Sequence, residues 1–323
     1  MPAMTPAAAM PVRTRKPDNR TVGRNMRGKI IKAIAGFYYI HDGHDIYACR
    51  ARGVFRNIDT KPLAGDDVTF EVTDTKDMEG WVTSVLERRN ELNRPPVANA
   101  DQMLAFFAVK DPDPSVLHIS RLLIAAERAG IPQIIVFNKA DLAEADASPE
   151  DALRKLQDIF RGTDIGVHLI SVRGGSGIED LKQILAGRTT VLSGPSGAGK
   201  SSFVNALLGE RKMETGEISR KLQRGKQTTR HTELMYLPEL GEGSYIFDTP
   251  GFSALDNELE PEDVQNYFPE IAAHIPECRF SGCAHINEPD CGVKQALAEG
   301  LISPERYEAY RTLYAERKAA ARY

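Results

Sequence analysis

The chain has 323 residues, 41% of them apolar and 27% charged, a composition that suits a water-soluble protein of two or three domains with a sizeable core. No apolar run approaches the roughly 20 residues that span a bilayer and the first 25 residues lack the apolar stretch of a secretory signal, which argues against membrane and secreted classes and leads us to expect a cytoplasmic monomer. The net charge of -4 hides an asymmetry: residues 1–94 hold 16 Lys and Arg against 12 Asp and Glu, so they carry +4 and the remainder -8, the pattern of a basic module that meets polyanions beside an acidic domain that does not.

Residues 1–27 form a low-complexity basic arm without periodicity, expected to be disordered. Residues 28–92 read as short strands at Ile30 to Ile40, Asp45 to Phe55, Asp67 to Thr73 and Gly80 to Glu87, with Gly36 and Gly53 as bend points. About five strands in so short a stretch fit an OB-fold β-barrel, a common nucleic-acid reader; a generic barrel adaptor is the plainer alternative. Arg94-Pro95-Pro96 marks a boundary, because successive prolines continue neither strand nor helix. From 93 to 258 apolar strands at Gln102 to Val109, Gln133 to Asn138, Val167 to Ser171, Thr189 to Ser193 and Ser244 to Asp248 alternate with helical stretches near 115–129, 149–161, 177–186 and 200–208. Such alternation predicts a doubly wound α/β domain. Residues 259–323 read as a third, small, helical domain with Cys and His grouped in its middle.

Three strings carry the chemistry of the central domain. Gly194-Pro195-Ser196-Gly197-Ala198-Gly199-Lys200-Ser201, with Ser202 after it, matches the GxxxxGKS phosphate loop and lies between an apolar strand and a helix, as the mechanism requires. Its glycines let backbone amides face the phosphates, Lys200 is expected on the β- and γ-oxygens, and Ser201 on Mg²⁺. Asp248-Thr249-Pro250-Gly251 follows a strand, placing Asp248 to hold a Mg²⁺-bound water and the Gly251 amide to sense the γ-phosphate. Asn138-Lys139-Ala140-Asp141 also follows a strand, and the Asp141 carboxylate can accept the two parallel N–H donors of guanine, which adenine lacks. GTP rather than ATP is therefore expected, with Asn138 tying neighbouring loops together, the stem of Lys139 over the base and Ser171-Val172 as the remaining base-contact loop. The base reader precedes the phosphate loop, the reverse of an ordinary GTPase, so the domain reads as circularly permuted. All the strings can still meet at one nucleotide, since each ends a parallel strand.

Phe252 follows Gly251 where Ras-like sites carry a water-orienting Gln, so slow intrinsic hydrolysis is expected unless a partner completes the site. The segment Arg224 to His231 offers Thr229 for Mg²⁺ and the γ-phosphate, and either Gln227 or His231 to position water; a loop with only structural duties is the competing reading of those two side chains. Cys278, Cys283, His285 and Cys291 give Cys-x4-Cys-x-His-x5-Cys, three thiolates and an imidazole that suit a closed, structural Zn²⁺ site better than disulfides. Cys49 reads as a small buried apolar residue.

The permuted order of the three strings, the preceding barrel and the cysteine cluster together resemble the RsgA (YjeQ/YloQ) family of ribosome small-subunit-dependent GTPases. The likeness runs from Gly28 to Tyr323 and includes Gly36-Phe37-Tyr38-Tyr39, Asn93-Arg94-Pro95-Pro96 and Thr229-Arg230-His231. It implies that the three domains dock on the 30S subunit and its 16S rRNA in late maturation, and that GTP hydrolysis, stimulated by the subunit, drives release. A GTP-gated RNA-binding module with incidental turnover is the alternative. The chain departs from the family at Gln227, where a catalytic histidine is expected before the paired threonines. Chain order further suggests that the zinc domain, which begins soon after Gly251, takes the report of nucleotide state, while the barrel joins the base-reading half.

Overall fold

The computed structural model describes residues 23–51, 61–93, 96–143, 148–209, 233–248 and 259–321. The basic arm up to residue 22, Gly53, Gln227, Thr229, His231 and Gly251 lie outside them.

Five strands close the N-terminal barrel: β1 (Asn25–Ile34), β2 (Phe37–His41), β3 (Ile46–Ala51), β4 (Asp67–Asp74) and β5 (Glu79–Val85), in the order β1-β2-β3-β5-β4 with β1 also paired to β4. This is OB-like topology, with β3 and β5 parallel. Alternation builds it: Val68, Phe70 and Val72 of β4 point inward and meet Ile30, Ile40, Tyr47, Cys49 and Val82. Cys49 is wholly buried there, and burial pushes its thiol up to about 12.

The stretch read from Ile30 to Ile40, with Gly36 as a bend point, is a hairpin. Ala35 and Gly36 both adopt positive φ, 51° and 81°, as a two-residue primed turn requires. Alanine rarely occupies that position, so Gly36 alone marked the turn in the sequence. Between Ile30 and Lys32 the β1 ladder shifts by one residue. The bulge turns Ile31 out of the barrel and into the core of the central domain, where it is 6% exposed.

Arg94 and Pro95 lie outside the described residues; on either side of them β6 (Glu91–Asn93) pairs with β7 (Pro96–Ala98), and Pro96 itself starts the strand, an edge position where a missing N–H is tolerated. The central sheet has six strands in the order β10-β9-β8-β11-β13-β12, namely β8 (Gln102–Ala108), β9 (Gln133–Asn138), β10 (Gly166–Leu169), β11 (Thr189–Ser193), β12 (Glu233–Tyr236) and β13 (Tyr245–Asp248). All are parallel except β12, an antiparallel edge that sequence reading missed. Every residue of β8 and β11 is buried, as expected for strands covered on both faces. Helices α1 (Val116–Arg128), α2 (Pro149–Ile159), α3 (Ile178–Leu185) and α4 (Lys200–Leu208) supply the cover.

The chain steps outward through β8, β9 and β10, then returns across the sheet to β11. Ligands bind at such a reversal, outside the carboxyl ends of the strands.

The C-terminal domain holds α5 (Pro269–Ala272), α6 (Gly292–Ala298) and α7 (Pro304–Ala320), linked by short 3₁₀ turns around Phe268, Val293, Ile302, Tyr310 and Leu313. Its core also takes in Ile124 of α1. Arg306, 1% exposed, donates to Glu270 at 2.6 Å and to Ser120 of α1 at 2.9 Å, with its guanidinium 4.3 Å from the Phe268 ring centroid. Arg121 pairs with Glu316, and Ser303 donates to the Ile159 carbonyl at the end of α2.

Candidate nucleotide and metal sites

Three of the expected loops, after β9, β10 and β11, converge with the loop after β8 at the carboxyl ends of these strands. The phosphate loop leaves β11 at Gly194 and runs into α4, whose first residue is Lys200. Two glycines there are obligatory. A Cβ on Gly194 (φ 157°) would lie 1.8 Å from the Phe106 carbonyl oxygen, and one on Gly199 (φ 97°) would lie 2.3 Å from Nδ2 of Asn138. The loop therefore sits directly on the ends of β8 and β9. Pro195 is half-buried, Ser196 and Gly197 are exposed and Ala198 is buried. Ser201 and Ser202 are exposed in the first turn of α4, at its positive end. Lys200 Nζ donates to the carbonyls of Gly194 and Pro195, at 2.7 and 2.8 Å.

Asn138 joins the base reader to the phosphate loop. Its Nδ2 donates to the Ala198 carbonyl at 2.9 Å, and its Oδ1 accepts from the Val172 amide at 3.0 Å. Lys139 adopts φ 66° and donates from Nζ to the Asp111 carbonyl, so the loop after β8 also belongs to this corner. That loop, whose Pro112 lies 3.4 Å from the position of a Cβ on Gly197, was not singled out from the sequence. Ser171 donates to Oδ1 of Asp141 at 2.5 Å and accepts from the Gly174 amide at 2.9 Å. The Ser171 hydroxyl first, then nearby backbone and basic groups, hold the Asp141 carboxyl below its ordinary value, so it is ionised at neutral pH and can accept paired donors. Asp248 closes β13, paired in register with Leu192 and with Glu233; its side chain and the rest of its string lie outside the described residues.

Cys278, Cys283, His285 and Cys291 come together with all four donor atoms within 4.8 Å of one another. The Cys278 and Cys291 sulfurs are 3.8 Å apart, and Nδ1 of His285 lies 3.5 and 3.3 Å from them. Donors about 2.3 Å (sulfur) and 2.0 Å (nitrogen) from a common tetrahedral centre would be separated by about 3.8 and 3.5 Å. The cluster thus fits a four-coordinate metal. Burial holds the imidazole below its ordinary pKa, so it is neutral, and Nε2 donates to Oε1 of Gln265 at 2.9 Å, leaving the lone pair on Nδ1. Tyr307 and Tyr310 donate to the carbonyls of His285 and Ala284, at 2.5 and 2.9 Å. Gln265 carries no spacing signal in the sequence; the tyrosines at 307, 310 and 314 form a visible helical stripe.

The barrel does not meet the base-reading half where chain order put it. Its described contacts with the sheet go to β12 and β13: Lys32 Nζ lies 3.1 Å from Oε2 of Glu233, and the Tyr245 hydroxyl donates to Nδ1 of His41 at 2.7 Å. It is the C-terminal domain that is fastened to α1 and α2. An exposed sheet edge at β12 needs cover, and the barrel supplies it.

Barrel, permuted nucleotide-binding sheet and Cys₃His cluster define a circularly permuted GTPase of three domains. Comparison with known proteins gives the family. The model of the RsgA GTPase matches residues 85–258 and that of the RsgA N-terminal domain residues 27–82. A small ribosomal subunit biogenesis GTPase RsgA of Agathobacter rectalis is 45% identical over 92% of this chain and all of its own length, and one of Alkaliphilus metalliredigens is 41% identical over 92% and 99%. Among solved structures, that of YloQ, a circularly permuted GTPase, is 34% identical with TM-score 0.70 over 92% of this chain and 96% of that one. YjeQ from Thermotoga maritima is 32% identical with TM-score 0.73, over 91% and 99%. The chain belongs to the RsgA GTPase family and is a GTP hydrolase.

Proposed function

We propose that this GTPase binds the 30S ribosomal subunit through 16S rRNA late in its assembly, and that the subunit stimulates GTP hydrolysis, which then drives release. One observation carries the reading: relatives aligned over nearly their whole length are small-subunit biogenesis GTPases, and this chain keeps both appendages that flank their common core. An OB-like barrel preceded by a basic arm and seated on the β12–β13 edge of a GTPase is suited to structured RNA, through phosphate contacts that weaken with salt. We assign it to the cytoplasm as a monomer; no helix among the described residues is long and apolar enough to cross a membrane.

In this reading Lys200 and the amides of Gly194 to Ser202 hold the phosphates, Asn138, Lys139, Asp141 and Ser171 hold the guanine, and Thr229 and Gly251 answer to the γ-phosphate. Ser201, Thr229 and Asp248 would hold Mg²⁺, which when bound neutralises charge between the β- and γ-phosphates. The Cys278, Cys283, His285 and Cys291 cluster is assigned to a structural Zn²⁺, on its thiolate-rich closed donor set. Gln227 or His231 orients the attacking water.

Turnover measured with purified 30S, 50S and 70S particles, for wild type, Gln227→Ala and His231→Ala, tests the proposal. Stimulation by 30S above all, reduced in one of the variants, is expected; equal turnover with and without 30S refutes it. Retained 30S binding in the triphosphate state with no stimulated turnover would instead favour the GTP-gated binding module.

A further inference from the structure

The hairpin of β12 and β13 is the part of the sheet that the barrel holds, and it is held at both ends. Four residue pairs make its ladder: Glu233 with Asp248, Leu234 with Phe247, Met235 with Ile246 and Tyr236 with Tyr245. At one end Lys32 of the barrel, 12% exposed, reaches Glu233 at 3.1 Å. At the other, His41 of the barrel, 4% exposed, accepts from Tyr245 and lies with its ring centroid 4.4 Å from that of Tyr236. Between these points Tyr39 and Ile46 of the barrel join Leu234, Tyr236, Tyr245 and Phe247 in one apolar cluster. Covering an edge strand needs only that apolar contact. The ionic contact adds something specific, because the residue it grips is the ladder partner of Asp248.

We propose that Lys32 and His41 are positioning residues for the GTPase reaction, acting through the β12–β13 ladder on Asp248 at its end. Glu233 transmits from Lys32 and Tyr245 from His41, so the place of the barrel and the place of the Asp248 backbone are one geometric variable. Four ladder pairs are too short a hairpin to flex between its ends independently. By thermodynamic reciprocity, a polyanion on the barrel changes nucleotide affinity by the same factor as the nucleotide changes affinity at the barrel, and turnover follows separately from the placing of Asp248. The proposal rests on the GTPase activity alone and holds whatever RNA the barrel meets.

The test uses the full-length protein, with Lys32→Met, Lys32→Arg, Glu233→Gln and the exchanged pair Lys32→Glu with Glu233→Lys. Steady-state GTP turnover is read beside GDP affinity and melting temperature. Lys32→Met and Glu233→Gln are expected to lower kcat roughly 3- to 10-fold, with GDP affinity and melting temperature within about twofold and about 2 °C of wild type. Lys32→Arg and the exchanged pair should recover most of that loss. His41→Asn, which removes the ring stack but keeps a polar side chain, should also lower kcat with GDP affinity retained. Unchanged kcat in both Lys32→Met and Glu233→Gln overturns the proposal. So does a kcat loss that tracks equal losses of GDP affinity and melting temperature, since that is the signature of a merely structural contact. If both single variants fail to fold, the exchanged pair decides alone: wild-type kcat supports the proposal, and a kcat reduced tenfold or more in a folded protein overturns it.

Discussion

Asn138 should be worth one to two orders of magnitude in nucleotide affinity, although its carboxamide serves mainly to bind protein to protein. It is 3% exposed and makes two bonds, to the Ala198 carbonyl at 2.9 Å and from the Val172 amide at 3.0 Å. Replacing it by alanine strands both groups, and an unpartnered buried polar group costs about 1–3 kcal/mol. Ala198 is wholly buried, so its carbonyl meets the full penalty; Val172 is half-buried, and water can satisfy its amide in part. Some of the cost falls on the free protein as well, where the loops separate. About 1.4–2.8 kcal/mol is left for binding, a 10- to 100-fold loss of affinity. Because the tie joins base loop to phosphate loop, which GDP and GTP share, both nucleotides should lose alike. Calorimetric titration of Asn138→Ala with GDP and with a non-hydrolysable GTP analogue, beside a melting curve, makes the measurement. Wild-type affinity for both, or a loss confined to the triphosphate, refutes the reasoning.

Asp141→Asn replaces an ionised double acceptor by a group with one acceptor and one donor, so a GTP-over-ATP preference of about 10⁴ should fall below about 10² in competition binding. Gln265→Ala frees Nε2 of His285 and should weaken metal retention about 10- to 100-fold, read as faster metal release to a chromophoric chelator, whereas unchanged release would remove Gln265 from that role. His41 is held below its ordinary pKa, chiefly by burial against Tyr236 and Tyr245, with Asp42 opposing and His44 assisting. A group with a lowered native pKa contributes stability above its unfolded value that is lost as pH falls. Wild type should therefore lose more melting temperature than His41→Asn between about pH 7.5 and about pH 5.5; equal losses would show that another group governs that range.

The nucleotide strings were legible because each is contiguous and each ends a strand, so local sequence carried both chemistry and position. The closed barrel was legible for a related reason, since its inward residues alternate. What escaped was tertiary. Ala35 in a primed turn left Gly36 as the one mark between two strands, and the four-residue β12 carries too short a pattern to stand out. Gln265 is 13 residues before the first cysteine and acquires its role only when the 3₁₀ turn at Pro261–Tyr267 folds under the cluster. The expected metal ligands, by contrast, needed only their spacing.

The largest revision concerns which appendage meets the β12–β13 hairpin. Chain order put the C-terminal domain closest to Gly251 and the barrel beside the base reader. The described contacts put the barrel on β12 and β13 and the C-terminal domain on α1 and α2, while Gly251 lies outside the described residues. The C-terminal domain is joined to α1 by a shared apolar core and by the buried Arg306, which engages Glu270 and Ser120 together; removing one partner of such a buried pair is costly, so the joint holds as a unit. A domain so fastened to α1 and α2 follows the base-binding half, whose loops are the same for GDP and GTP. The barrel instead meets the sheet through one ion pair and one hydrogen bond to a four-pair hairpin, a patch of aromatic rings, and Ile31 and Ile46 in the central apolar cluster, with no buried ion pair across this contact among the described residues. A contact of that size can be redistributed by the few kcal/mol that a nucleotide state or an RNA surface supplies. Permutation thus leaves the sheet order of the domain intact, while the opened ends let one module be carried with the base-binding half and the other with the β12–β13 hairpin.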